Sequence, residues 1–348
     1  MIDMDVDEKE PKMKRVTMTD IARAAGVSQG TVSLVLNDSR SIKLAEETRK
    51  RVLEVAQELG YSKKVVQDHN RKRKIAVIVN DLVSLDPFVD AVDAITETAA
   101  EHQRIAVLFN TANNEHLEDD IFKEIASNDY DGVIIASSMT RPLDRNHRFP
   151  EDKPVILLNC FLESSNKFSS VIPDDHTGMY NLTTHLIERG YSNIAFIGGE
   201  EWMLATQKRR SGFLKAHEEK QMTVNEHWQI SGDWSMNKAY QETLRLLSQK
   251  NYPDAFACAS DLMALGVINA LLQQGIRIPE DVAVCGYDNQ PISTDCHPTL
   301  TSYSLPYEDM GKMAVELLLQ KVDGNTQYSA KYEAHGELKI RESTSPKS

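Results

Sequence analysis

Cysteine is scarce in this chain, and the four that are present lie far apart. Cys160, Cys258, Cys285 and Cys296 form no C-x-x-C pair in 348 residues. Disulfide frameworks and zinc sites need paired or closely spaced thiols, so we expect reduced, mostly buried cysteines. His297 follows Cys296, but no second ligand pair accompanies it, and we expect neither a metal nor a cofactor.

Long apolar runs are also missing. The sequence has no stretch of about eighteen apolar residues, so no membrane partner is expected. Residues 1–11 are acidic and have no apolar core, unlike a secretory signal peptide. We therefore expect a cytoplasmic protein in which residues 1–15 form a disordered tail.

The sequence carries none of the short signatures of common catalytic sites. There is no Gly-x-Ser-x-Gly elbow, no phosphate-binding loop and no His-Glu-x-x-His pair. Gly198-Gly199 lacks the G-x-G-x-x-G spacing of dinucleotide sites. We expect no catalytic residues and a protein that is not an enzyme.

Positive charge is scarce overall but concentrated near the amino terminus. The net charge of the whole chain is −13. Residues 12–74 hold 15 Lys and Arg against 7 Asp and Glu, whereas residues 75–348 carry a net charge of −17. A basic head on an acidic body is expected when only the head contacts the phosphates of a nucleic acid.

Residues 17–37, TMTDIARAAGVSQGTVSLVLN, have the pattern of two short helices joined by a tight turn. Thr17 and Asp20 have the spacing of a capping box that begins the first helix. Gly26 suits a left-handed turn after this helix, and Ser28 is placed to cap the second one. The second helix repeats apolar residues at helical spacing: Val32, Val35 and Leu36.

A third amphipathic helix is predicted over residues 46–59. Its apolar stripe consists of Val52, Val55, Ala56 and Leu59. Three short helices that share one apolar seam are typical of an all-α helix-turn-helix head, whose second helix enters the major groove of DNA.

Residues 16–61 resemble the DNA-binding domain of the lactose-repressor/galactose-repressor (LacI/GalR) family of bacterial transcription regulators. The resemblance rests on T-x-x-D-I-A from Thr17, on Ala25 to Ser28, Thr31 to Ser33, Leu36-Asn37, Glu47 to Arg49 and Leu59 to Tyr61. It implies a homodimer that binds a palindromic operator in double-stranded DNA. The alternative is three amphipathic helices without a DNA role.

The family pattern also implies which residues contact DNA. They are Thr17, Thr19, Ser28, Gln29, Gly30, Thr31, Ser33, Leu34 and Asn37. Gln29 can pair with adenine, and Leu34 can contact only an apolar group such as the thymine methyl. Thr31 and Ser33 are expected nearer the phosphate backbone. Alternatively, Leu34 packs beneath the third helix.

Residues 62–74 correspond to the hinge of the family, which folds on the operator and inserts an apolar residue into the minor groove. The expected hinge contacts are Lys63, Lys64, Asn70 and Arg71. Asn70 occupies the wedge position and Asp68 the arginine position, and neither suits base unstacking or phosphate contact. We therefore expect a weak or absent hinge helix and a less bent operator.

From Ile75 onward, short apolar runs alternate with helical patterns in two series, which is typical of doubly wound α/β lobes with buried parallel strands. This part resembles the family's effector-binding core, which has two Rossmann-like lobes of the type I periplasmic-binding-protein fold. Family-like phrases include residues 259–266 and 286–288. The predicted lobes are 75–174 with 305–328, and 175–304 with 329–348. The helix after Pro306 and the first-lobe helices are expected to form the dimer surface.

Ligands of open α/β lobes bind beyond the carboxyl ends of the strands, so two facing lobes form a cleft. The resemblance implies that Arg209 donates hydrogen bonds to effector hydroxyls and that Asp288 accepts them. Trp234 would be an aromatic platform for a sugar or a purine. Asn159 and Ser260 occupy two further polar positions of the family pattern. Asn80, Asp81 and Phe88 follow the first strand and are expected to line the same cleft.

Each of these residues also has a structural interpretation. Arg209 could be a surface cation, Asp288 could cap a turn, and Trp234 could serve only for packing. With the resemblance, the patterns favour a repressor controlled by a small-molecule effector, most simply a sugar. The alternative is a small-molecule binding protein of the same fold, with an atypical hinge and weakened or altered DNA function.

Overall fold

The computed structural model describes residues 16–36, 46–59, 73–82, 86–144, 147–150, 152–165, 167–325 and 328–344. The chain consists of two compact units, divided between Arg71 and Lys72. Several of our expectations lie outside the described residues: the tail 1–15, Asn37, and the hinge contacts Lys63, Lys64, Asn70 and Arg71.

Within the described residues, the helices are α1 (Met18–Ala25), α2 (Gln29–Leu36), α3 (Glu46–Glu58), α4 (Val89–Glu101), α5 (Glu115–Ser127), α6 (Asp175–Glu188), α7 (Leu204–Glu219), α8 (Met236–Leu247), α9 (Asp261–Gln273), α10 (Ile292–Asp295) and α11 (Tyr307–Val322). The strands are β1 (Arg73–Val79), β2 (Arg104–Asn110), β3 (Tyr130–Pro142), β4 (Val155–Phe161), β5 (Ser169–Pro173), β6 (Ile194–Gly198), β7 (Gln229–Ser231), β8 (Ala255–Cys258), β9 (Ala283–Asp288), β10 (Thr301–Ser304), β11 (Lys331–Ala334) and β12 (Glu337–Lys339). None of these helices is both long enough and apolar enough to cross a lipid bilayer.

The first unit is a three-helix head whose beginning follows the predicted local signals. Thr17 and Asp20 form a reciprocal capping box before α1. Gly26 ends α1 with a φ of 66°, in the left-handed region that glycine adopts without steric cost. The three helices bury one apolar cluster, which consists of Ile21, Ala22, Ala25, Val32, Val35, Val52 and Ala56.

The prediction was wrong at the end of the third helix. α3 ends at Glu58, and the side chain of Leu59 is 39% exposed. Val52 and Ala56 are buried as predicted, and Val55 packs against the cluster from a half-buried position. Helical spacing identifies the core-facing stripe only where the helix itself continues over the core.

The second unit contains two six-stranded sheets among the described residues, one in each lobe. The strand orders are β11-β5-β4-β3-β1-β2 and β12-β10-β9-β8-β6-β7. All neighbouring strands pair in parallel except β10 and β12, which are antiparallel. The five residues of β6 are all buried, and so are six of the seven of β4, as expected for strands that helices cover on both faces.

Two predicted boundaries need correction. Lys331–Ala334 still pairs with β5 in the first-lobe sheet, so the last crossing lies between β11 and β12 rather than near residue 328. β1 already begins at Arg73, inside the range 62–74 predicted for the hinge, because Arg73 and Lys74 pair with β2. Both errors arise because strand pairing depends on distant partners, which a local pattern does not contain.

α11 packs against its own subunit. The helix after Pro306, α11, buries most of its apolar residues, and its close contact with α4 requires Gly311, where a Cβ would lie 2.5 Å from the carbonyl of Ala91. The exposed positions of α11 are acidic: Glu308, Asp309 and Glu316. Such a face is better suited to solvent than to a two-fold dimer contact, which would bring the acidic side chains of two subunits together.

Candidate DNA-reading helix and ligand cleft

The amino-terminal end of α2 presents an exposed polar surface. Ser28, Gln29 and Gly30 are exposed, and the Ser28 hydroxyl caps the helix by accepting a hydrogen bond from the Thr31 amide at 3.1 Å. The Thr31 hydroxyl lies 2.9 Å from that of Ser28. Ser28 and Thr31 therefore have a structural role in addition to the predicted DNA contact.

The side chain of Leu34 lies at the edge of the head. It is half-buried, yet it does not belong to the apolar cluster formed by the described helices or to the residues packed against it. Ser33 is also half-buried, while Thr17 and Thr19 before and within α1 are exposed. The alternative in which Leu34 packs beneath α3 gains no support from these contacts.

In the second unit, Arg209 lies at the centre of a buried charged cluster. This residue of α7 is 4% exposed. Its Nε donates to Oδ1 of Asp175 at 2.8 Å, and its Nη1 lies 3.4 Å from Oδ1 of Asp288. Nη1 also donates to the carbonyl of Ala259. The interpretation of Arg209 as a surface cation is therefore wrong, whereas its neighbour Arg210 is exposed.

Two aromatic rings cover this guanidinium. Its Cζ lies 3.8 Å from the centroid of Tyr287 and 5.6 Å from that of Trp234. The indole Nε1 of Trp234 donates to the sulfur of Met203 at 2.8 Å. The indole also lies against Gly199, where a Cβ would fall 1.9 Å from the ring atom Cε2. The Gly198-Gly199 sequence thus makes room for an aromatic ring rather than for a phosphate.

The electrostatics of the cluster favour a fixed cation beside weakly acidic carboxyls. Burial raises the pKa of Asp175, and Arg209 opposes this rise. Burial also raises the pKa of Asp288, which Arg209 opposes and the nearby Asp261 reinforces. Burial disfavours the charge of Arg209, but Asp175, Tyr287 and Asp288 outweigh this effect and raise its pKa. The site therefore offers both hydrogen-bond donors and acceptors.

The first lobe contributes polar side chains that are already connected to each other. Oδ1 of Asn80 accepts from the amide of Ser138 at 3.3 Å, and its Nδ2 donates to Asn113 at 3.0 Å. Asn113 in turn donates to Asp81 at 3.3 Å. Asn80 and Asp81 are half-buried, so a ligand would have to compete with this local network.

Phe88 and Tyr307 form an aromatic contact between the starts of α4 and α11. Their ring centroids are 5.3 Å apart in an edge-to-face arrangement, and both residues are buried. Burial raises the pKa of Tyr307, and the nearby carboxyls of Asp175 and Asp288 raise it further. Tyr307 therefore lies close to the charged cluster around Arg209, together with Phe88.

Asn159 and Ser260 are placed differently from the other predicted ligand contacts. Asn159 is fully buried, donates to the carbonyl of Ser137 at 2.9 Å and accepts from the Thr140 hydroxyl at 2.5 Å. Ser260 caps α9 by accepting from the Met263 amide at 3.2 Å. Both side chains are hydrogen-bonded to neighbouring groups of the protein.

Sequence reasoning missed Asp175, Tyr287 and Tyr307. Asp175 begins α6, and its pairing with Arg209 spans 34 positions, so no local motif marks it. Tyr287 precedes Asp288 within β9, where a buried aromatic residue is read as core. The only available signal was their position beside residues already selected.

Two family models match the chain. Residues 17–64 match the bacterial regulatory proteins of the lacI family, and residues 183–344 match the periplasmic binding protein-like domain. Among curated proteins, the HTH-type transcriptional repressor PurR of Vibrio cholerae serotype O1 is 31% identical over 330 residues, which cover 94% of this chain and 97% of that protein. PurR of Pasteurella multocida is 33% identical over 339 residues, with 94% and 98% covered.

Solved structures agree with these relatives. The complex of the transcriptional regulator CelR with cellobiose superposes with a TM-score of 0.66 at 29% identity and covers 94% of this chain and 100% of that one. The lac repressor dimer bound to operator and the anti-inducer ONPF gives a TM-score of 0.66 at 26% identity, with 95% and 100% covered. The likeness thus includes both the head and the two lobes.

Proposed function

The chain belongs to the LacI family of DNA-binding transcriptional repressors, which are not enzymes, and from this premise we propose that it binds a palindromic operator as a homodimer under the control of a sugar. The sugar binds between the lobes beside Arg209, Trp234 and Asp288. Occupancy changes the arrangement of the lobes and thereby the affinity for the operator. A ligand can shift this equilibrium only by its differential affinity for the two arrangements.

The observation that carries the DNA part of the proposal is the exposed end of α2. Gln29 and Gly30 are exposed there, while the apolar faces of all three helices are buried together. A helix with exposed polar groups at its amino-terminal end is what the major groove accommodates. Gln29 supplies the bidentate amide that can recognise adenine.

The chemistry around Arg209 supports a sugar as effector. Nε and Nη1 of Arg209 are engaged with protein groups, whereas Nη2 makes no hydrogen bond to the described residues. A donor on a largely buried guanidinium that also lies beside the carboxyl of Asp288 suits a hydroxyl group, which both accepts and donates. The Trp234 ring offers a surface for the apolar face of a pyranose.

Strand β2 supports a dimer. It ends the first-lobe sheet, and its side chains Ile105 and Leu108 are 43% and 44% exposed. An edge strand with exposed apolar side chains favours association, because a partner removes both the apolar surface and the unpaired edge from water. We place the first-lobe part of the dimer surface on β2 rather than on α11 or the other first-lobe helices.

Selection of bound duplexes from a random DNA pool tests the proposal directly. We expect a two-fold symmetric sequence to be enriched, with enrichment changed by one member of a panel of sugars. Nucleobases in the same panel test the other ligand class that stacks on an indole. A symmetric site that no sugar affects would overturn the choice of effector.

The salt dependence of a gel shift separates the repressor from the alternative, a binding protein with weakened or altered DNA function. When basic side chains neutralise DNA phosphates, counterions are released, so the affinity for DNA falls steeply as the salt concentration rises. Absence of binding to any duplex at low salt would favour the alternative.

A further inference from the structure

The loop that follows β9 has an unusual backbone. Asp288 has a φ of 101° and Asn289 a φ of 56°, in the left-handed region that residues with a side chain rarely adopt. Such conformations persist only where surrounding contacts hold them. Asp288 is also the carboxyl next to Arg209, so whatever holds this loop determines where that carboxyl lies.

Asp261, the first residue of α9, holds the loop through its carboxylate. It is fully buried, and its Oδ2 accepts from the backbone amide of Gln290 at 2.7 Å. Its Oδ1 accepts from the Ser302 hydroxyl at 2.6 Å, and the same hydroxyl accepts from the amide of Asn289 at 3.0 Å. Asp261 thus fixes two successive loop amides, one directly and one through Ser302.

Arg341 holds the same loop from the carboxyl-terminal segment. Its Nη2 donates to Oδ1 of Asn289 at 2.6 Å, and its Nη1 donates to the carbonyl of Leu300 at 2.6 Å. The segment itself is tied to the second-lobe sheet, because the hydroxyl of Ser343 donates to the carbonyl of Val284 at 2.6 Å. The loop is therefore clamped between α9 and this segment.

We propose that Asp261 and Arg341 are positioning residues for the effector: they clamp the loop 288–290 so that the carboxyl of Asp288 stays beside Arg209 and within reach of the ligand. Both oxygens of Asp261 are occupied by Gln290 and Ser302. Both terminal nitrogens of Arg341 are occupied as well. Each residue therefore acts through the loop and not by touching the ligand. This inference rests on the proposed function.

Four variants of the full-length protein test the clamp. Arg341→Ala removes the donor to the Asn289 side chain and to the Leu300 carbonyl. Asp261→Ala removes the acceptor of the Gln290 amide and of the Ser302 hydroxyl. Asp261→Asn is the conservative variant, because its amide can accept from Gln290 and donate to Ser302. Arg277→Ala is the matched control, since Arg277 pairs with Asp281 on the surface of the same lobe.

The first measurement is amide hydrogen–deuterium exchange of peptides that cover residues 286–292, which needs no ligand. We expect exchange at least about tenfold faster in Arg341→Ala and Asp261→Ala, and unchanged exchange in Asp261→Asn and Arg277→Ala. Unchanged exchange in the two alanine variants would overturn the clamp, even if no sugar binds the wild-type protein.

The second measurement is sugar affinity by calorimetry. Glucose, galactose, ribose, maltose and cellobiose are first tested on the wild-type protein, and the sugar that binds most tightly is then used for the variants. Because the ligand must then re-order the loop when it binds, its affinity should fall about tenfold to a hundredfold. We expect this loss in both alanine variants, recovery in Asp261→Asn and no change in Arg277→Ala. Equal losses in the alanine variants and the control, or none, would overturn the inference. Failure of every sugar on the wild-type protein would instead contradict the proposed effector.

Discussion

Nε of Arg209 donates to Oδ1 of Asp175 at 2.8 Å, and both side chains are at most 5% exposed. The pair joins α7 to the start of α6, deep beside the proposed ligand position. A buried pair of this kind costs desolvation, and breaking it leaves an uncompensated charge. The contact therefore links the stability of the second lobe to its ligand chemistry.

The first prediction concerns this pair. Arg209→Ala should lower the free energy of unfolding by about 3–5 kcal/mol, because Asp175 and Asp288 lose their cation. It should also abolish the response to sugar while operator binding persists. Urea denaturation and gel shifts measure the two effects. Arg210→Ala is the control, since Arg210 is exposed and donates to Gln229 at the surface, and a similar loss there would refute a special role of Arg209.

The second prediction is a pH dependence that originates in Asp261. Burial raises the pKa of Asp261 from 3.8 to about 7. The folded protein therefore binds the proton more tightly than the unfolded chain, and stability from this group is lost as pH rises from about 4 to 7. In Asp261→Asn, the fall in the free energy of unfolding over this pH range should be smaller by about 2–4 kcal/mol. Denaturation at successive pH values gives the free energy of unfolding of the wild-type protein and of Asp261→Asn as a function of pH. The same pH dependence in both proteins would contradict the assignment to Asp261.

The third prediction concerns the indole of Trp234. Gly199→Ala would place a methyl group inside the ring, so the ring must move and sugar affinity should fall about tenfold or more. Tryptophan emission reports the displacement. Gly275→Ala is the control, because its φ of 70° makes it unfavourable by about 1 kcal/mol without any atom within 4 Å. Equal sugar affinity in both variants would disprove the platform.

The fourth prediction separates base recognition from phosphate contact. Gln29→Ala should cost about 1–3 kcal/mol at a single base position and relax the preference there. Arg23→Ala, at an exposed position of α1, should weaken binding to all duplexes alike and reduce the salt slope by about 1. Gel shifts with cognate and scrambled duplexes distinguish the two. Equal loss on both duplexes for Gln29→Ala would contradict base reading.

The fifth prediction concerns assembly. Leu108→Asp on β2 should shift the protein from dimer to monomer and weaken operator binding at least about tenfold, because each half-site then binds alone. Leu117→Asp on α5 is a control with similar exposure, 41% against 44%. Sedimentation velocity measures both. A dimer that survives Leu108→Asp would place the interface elsewhere.

Local signals in the sequence were sufficient for the head. The capping box of Thr17 and Asp20 and the turn at Gly26 involve residues within a few positions of each other. The strand–helix alternation is likewise local, since each buried strand is one continuous apolar run. The selection of Arg209, Trp234 and Asp288 required the family pattern as well, because no short motif surrounds them.

The sequence by itself thus determined the three-helix head, the two α/β lobes and the membership of the family, because short-range spacing and apolar periodicity specify helices and strands. The tertiary structure decided which side chains meet: Asp175 with Arg209, Arg341 with Asn289, and Lys331–Ala334 with the first-lobe sheet. It also turned Asn159 toward the backbone of β3. These pairings join residues far apart in the chain, and only the packing of complete lobes brings their polar groups within hydrogen-bonding distance.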